Sequence, residues 1–154
     1  VDWPPEKAAK GAVMAINTGK VITGGLLAGL LFNVGDFLIN SVIMAADHAA
    51  GLTRLGLDPA TMESASVAVS WIIVDFLFGI LVVWNYAAIR PRFGPGVKTA
   101  LLAAFPLWGA VTLILFGFTN MGLFTMPLFI KGTIYSVVNT AIGSVAGAWA
   151  YKEA

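Results

Sequence analysis

Hydrophobic residues in this chain neither alternate nor keep to narrow stripes; they come in four long runs, at about residues 21–46, 67–89, 99–118 and 127–151. Each run is close to or above the ~20 residues that a helix rising 1.5 Å per residue needs to cross a hydrocarbon core of ~30 Å. An open strand would leave its backbone groups unsatisfied in lipid, and four segments of this length cannot close a barrel. The pattern predicts an all-α, polytopic membrane protein: one bundle of four transmembrane helices over residues 18–152, preceded by a polar tail at 1–17 that is expected to be mobile. That tail, Val1-Asp2-Trp3-Pro4-Pro5-Glu6-Lys7 onward, has no short apolar core followed by small residues such as a cleaved signal carries. Met14 offers an alternative start, which would make residues 1–13 an extension.

The connecting segments differ in character. The longest, 47–66, contains Asp58-Pro59, a capping residue followed by proline, and predicts a helical lead-in to the second span outside the membrane. Arg90-Pro91-Arg92-Phe93-Gly94-Pro95-Gly96 predicts a tight basic hinge. The uncharged stretch 119–126 predicts an antiparallel hairpin. Lys7, Lys10, Lys20, Arg90, Arg92, Lys98 and Lys152 fall on one side of the four spans, against Arg54 and Lys131 on the other. Cytoplasmic loops carry the excess of Lys and Arg, so both termini are expected inside. Trp84, Tyr86, Trp149 and Tyr151 are expected at the inner interface.

Polar and small residues inside the runs carry the remaining pattern. Gly25, Gly29, Asn33, Asp36 and Asn40 share an arc of roughly 80° on the first span, at about 100° per residue. Asp75 and Gly79 align with Ala68 and Tyr86 on the second, and Asn139, Gly143 and Gly147 with Gly132 and Ser136 on the fourth. Small residues at such spacing let helix backbones approach closely, so these faces are expected to be buried against one another. The third span lacks such a stripe, contains Pro106, and is expected at the edge, bent and facing lipid.

Asp36, Asp75 and Asn139 stand roughly 14 to 18 Å from the outer ends of their runs. A central aspartate costs about 2.5 to 3.5 kcal/mol on insertion scales, and neither has an intramembrane Lys or Arg for a partner. The expected arrangement is a polar cluster of Asp36, Asp75, Asn33, Asn40 and Asn139, with a proton on at least one carboxyl at neutral pH. It serves either as a proton or cation relay or as interhelical glue worth about 0.6 to 2 kcal/mol per bond. Gly25, Gly29, Gly79, Gly143 and Gly147 are read as packing positions, and Arg90, Arg92 and Lys98 as topology determinants that could also contact a lipid head group.

Composition narrows the function. With 58% hydrophobic and 11% charged residues, there is too little polar surface to cover a soluble globule. A net charge of +1 argues against nucleic acid as a partner. The absence of cysteine excludes thiolate metal sites and cysteine nucleophiles, and a single histidine, His48, cannot supply paired haem ligands. His48 beside Asp47 falls far short of a coordination set and reads as interfacial. Trp71 and Trp108 read as ordinary core or lipid-facing aromatics rather than pigment or quinone contacts. No nucleotide loop or Ser–His–Asp set is present. No enzyme activity, no metal and no cofactor held by its own ligands is expected.

From about residue 16 to 152 the chain resembles a group of small bacterial four-helix integral membrane proteins of unknown function. The resemblance is carried by Gly24-Gly25-Leu26-Leu27-Ala28-Gly29 leading to Asn33, by Trp84-Asn85-Tyr86-Ala87-Ala88-Ile89-Arg90-Pro91-Arg92-Phe93-Gly94-Pro95-Gly96, and by Gly147-Ala148-Trp149-Ala150-Tyr151-Lys152. It implies the four-span topology and a bacterial inner membrane, and no chemistry. Small size and short loops make the leading expectation a non-catalytic accessory subunit of a larger membrane complex, respiratory or photosynthetic, with the bilayer and other subunits or further copies as partners. The alternative is a small oligomeric transporter or channel that uses the aspartate pair for proton or cation coupling.

Overall fold

Asn17 starts the first helix by accepting the Lys20 amide on its side chain at 3.1 Å, one of the donors a helix leaves unsatisfied at its N-terminus. The computed structural model describes residues 16–60 and 64–151, and from this cap the chain runs through five α-helices. They are α1 (Thr18–Asp36), α2 (Ala45–Arg54), α3 (Ala65–Phe93), α4 (Val97–Asn120) and α5 (Met126–Ala150). Between α1 and α2, Phe37–Ile43 winds as a π-helix, whose wider turn shows in the bond from the Met44 amide to the Ile39 carbonyl five residues back. Four helices are long and apolar enough to cross a membrane: α1 with the π segment, α3, α4 and α5. The protein is a multi-pass membrane protein, all-helical over the described residues.

Three local features differ from the sequence expectation. The 47–66 segment is not an open loop, because α2 occupies its first part; Asp58 caps only a short turn, accepting the Ala60 amide at 3.0 Å, and α3 begins later, at Ala65. The basic hinge starts four residues later than Arg90, since α3 continues through Pro91 to Phe93 and stops at Gly94, whose φ of +78° a side chain would resist. Tyr86 and Tyr151 are core residues packed edge to face at 5.9 Å, while Trp84 and Trp149 are exposed, so only the tryptophans suit an interfacial belt. The polar tail, Lys7, Lys10 and Lys152 lie outside the described residues.

Because lipid tails are as apolar as leucine, close packing and interhelical hydrogen bonds hold such helices together. Here α1 is the central helix and uses two faces. Gly25 and Gly29 press on α3, where a Cβ on Gly25 would stand 2.5 Å from the Cα of Ile80. Gly24, Ala28 and Phe32 press on α5, where a Cβ on Gly147 would stand 2.9 Å from both the Ala28 Cβ and the Gly24 carbonyl. Gly79 on α3 and Gly143 on α5 complete the two seams, against Gly29 and the Phe32 ring. The third span, α4, packs on α3 and α5 and is the least buried of the four. It is tied down by Asn85 Nδ2 donating to the Ala103 carbonyl at 2.6 Å and Trp108 Nε1 donating to Ser136 Oγ at 3.0 Å.

The two ends of the bundle are chemically distinct. At one, the Asn17 amide donates to the Tyr151 hydroxyl at 3.3 Å and the Gly96 amide to the Tyr86 hydroxyl at 3.2 Å, with Lys20, Arg90, Arg92 and Lys98 around them. At the other, side chains of α2 tie it to α5 and to the turn before it. Asp47 pairs with Lys131 at 2.8 Å, and Arg54 Nη2 donates to the carbonyls of Gly122 and Leu123 at 2.8 and 3.0 Å.

Candidate functional site

The seams of small residues bring polar side chains from three spans together. Asn139 of α5 donates from Nδ2 to Asp36 Oδ1 at 2.8 Å and to the Phe32 carbonyl at 3.3 Å. The Asp75 carboxyl of α3 lies within hydrogen-bonding reach of the Asp36 carboxyl. Asp75 and Asn139 are buried and Asp36 is half-buried. A carboxylate accepts hydrogen bonds but cannot donate one, so two carboxyls in contact require a proton on one of them. Asn139 is thus a fixed donor to Asp36, beside Asp75.

The approach of the backbones limits how far these side chains must reach. Gly29 lies against Phe76 and the Asp75 carbonyl, so the Asp75 backbone stands beside Gly29, about two turns along α1 from Asp36, and the two side chains reach toward each other across that interval. Gly35 has no side chain where Asn139 now sits; a Cβ there would collide with the amide group. Asp36 stands seven residues from Ile43, Asp75 ten from Ala65 and Asn139 thirteen from Met126, the span ends on the α2 side. Only Asp36 therefore lies nearer the α2 end than expected from the hydrophobic run, because the first span ends at Ile43 instead of residue 46; Asp75 and Asn139 keep about the expected depth.

The other two predicted members do not reach the carboxyls. Asn33 donates to the Gly29 carbonyl at 2.9 Å and, at 3.4 Å, to the Ile72 carbonyl of α3, which makes it a brace between the two helices. Asn40 is exposed, because the π segment changes the register after Asp36 and turns it away from the seam. It donates to the Asp36 carbonyl at 2.9 Å and meets His48 Nε2 with its Oδ1 at 3.1 Å. The partner of His48 was not legible in the sequence, since it lies eight residues back across a π turn that hydropathy does not mark. Burial lowers the His48 pKa below its ordinary 6.5, with Asp47 acting in the opposite direction.

Of the basic residues considered for lipid head groups, Arg90 lines a pocket of about 270 Å³ with Tyr86, Trp149 and Tyr151 and stacks over the Tyr151 ring at 5.6 Å. Arg92 stacks on Phe93 at 5.6 Å, and Lys98 is exposed on the first turn of α4. Among the described residues, no three His, Asp or Glu side chains gather closely enough to hold a metal ion. Comparison with protein-family models, with curated proteins and with solved structures found no match.

Proposed function

We propose that this chain is a small proton-translocating protein of the bacterial cytoplasmic membrane, with Asp36 and Asp75 as its proton-exchange pair and Asn139 as the group that holds Asp36 in place. One observation carries the reading: carboxyls from two different spans approach each other inside the bundle, next to the Asn139 amide, where a shared proton would let them hydrogen-bond. Intramembrane carboxyls are costly, and those that face a bundle interior mark ion and proton pathways by default. The excess of Lys and Arg at the end opposite α2 supports an orientation with α2 outside and both termini in the cytoplasm. The accessory-subunit reading rests on size and short loops alone, whereas the carboxyl pair gives the proton reading a specific site.

The test is proton flux into liposomes containing the purified full chain and a trapped pH indicator. Wild type is expected to dissipate an imposed pH gradient faster than empty liposomes, and the Asp36→Asn, Asp75→Asn double variant is expected to lose that difference. Flux that survives unchanged in the double variant would remove the basis for the proposal.

A further inference from the structure

Hydrogen bonds run from the backbone carbonyl of Asp36 through the Asn40 side chain to the only histidine of the chain, on the α2 side of the carboxyl pair. Asn40, one turn beyond Asp36, commits its Nδ2 to the Asp36 carbonyl at 2.9 Å, so its Oδ1 is the acceptor facing His48 at 3.1 Å. His48 Nε2 therefore carries the hydrogen, and the neutral ring keeps Nδ1 free to accept another. The half-buried ring is carried by α2, which is secured on both sides, by Asp47 with Lys131 of α5 and by Arg54 on the carbonyls of the α4–α5 turn. Asn40 thus links the imidazole to the helical turn that bears Asp36.

From this placement we infer that His48 is the proton-exchange residue of the α2-side mouth, passing protons between the adjoining water and the Asp36–Asp75 pair. The inference rests on the proton reading above. Nδ1 takes one proton from water, and the imidazolium gives one proton, by way of water, to a carboxylate of the pair. The ring ends neutral, one N–H bond has formed and one has broken, and no electrons move. The charged group acting on the ring is Asp47 on its own helix, which favours the imidazolium and is itself paired with Lys131 of α5 at 2.8 Å. Burial keeps the ring neutral near pH 7, the form that can accept a proton.

The experiment uses the full chain in liposomes of defined orientation. His48→Gln keeps an amide donor for Asn40 but cannot be protonated. It is expected to slow flux about tenfold at pH 7, below the range of 10²–10⁴ that positioned proton-transfer groups contribute in enzymes. It should also remove the dependence of flux on pH below 6.5 on the α2 side, and imidazole in the medium is expected to restore flux in His48→Gly. As a check independent of folding, carbethoxylation of the single histidine in reconstituted wild type is expected to block flux when applied from the α2 side. If His48→Gln and carbethoxylation both leave the rate and its pH profile unchanged while the aspartate double variant abolishes flux, the pair keeps its role and the inference about His48 is overturned. If wild type carries no flux, or the aspartate double variant carries all of it, both are overturned.

Discussion

Replacing Gly79 by alanine adds one methyl group at the tightest point of the α1–α3 seam. An ideal Cβ there would stand 2.5 Å from the Gly29 amide nitrogen and 2.9 Å from the Gly29 Cα, and it would also meet the Gly25 carbonyl. Ordinary contact begins at 3.4 Å, so the nitrogen is about 0.9 Å too close. All three atoms are backbone of α1, and no rotamer change can relieve them; the two helices must separate. A gap of ~0.5 to 1 Å forfeits a quarter to a half of each dispersion contact along the seam, and overpacking of this kind costs about 1–3 kcal/mol. Gly79→Ala is expected at the upper end of that range, with the Asp36–Asp75 contact one turn away opening as the helices part. Gly109→Ala in α4 is the control, because nothing lies within 4 Å of its Cβ position. It should be neutral or stabilise by up to about 1 kcal/mol through helix propensity. Detergent-solubilised protein titrated with dodecyl sulfate and followed by circular dichroism gives the comparison. Gly79→Ala unfolding at or above the wild-type midpoint, with Gly109→Ala behaving as stated, would refute the seam geometry.

Three further outcomes can be measured in the same preparation. Asn139→Leu removes the donor to Asp36 Oδ1 and is expected to destabilise by about 1–3 kcal/mol, because a buried acceptor is left without its partner; a shift below ~0.5 kcal/mol would mean that water replaces the amide. Lys131→Met breaks an ion pair whose side chains are 52% and 38% exposed, so its effect should stay below about 1 kcal/mol and shrink further in high salt. The lowered His48 pKa means that the unfolded chain takes up a proton first as pH falls. Stability should therefore be flat above the ordinary value of 6.5, decline as pH falls from there to the folded pKa, and level off below it. His48→Gln should remove that slope, and a decline that persists in the variant would assign it to another group.

Much of the fold was legible because lipid leaves so few choices. Run length alone predicts the four spanning helices, and the spacing of Gly25 with Gly29, of Asp75 with Gly79, and of Asn139 with Gly143 and Gly147 identifies faces that do lie in helix seams. Periodicity could not say that α1 splits its small residues between two partners, Gly25 and Gly29 toward α3 and Gly24 toward α5, since a helical wheel has no information about how many neighbours a helix meets. Nor could it place Asn40, because the π segment breaks the 3.6-residue count on which the shared arc with Asp36 depended. Arg90 to Gly96 read as a hinge, yet α3 ends only where Gly94 turns to positive φ.

The residue pattern by itself thus determined which segments enter the bilayer and which side chains are too costly to face it. The tertiary structure alone decided that Asp36 meets Asp75 and Asn139, and that Asn40 reaches His48 instead. Those contacts depend on how close two backbones approach and on the rotation of one helix about its axis. Both are set by the mutual fit of distant glycines rather than by anything local in the chain.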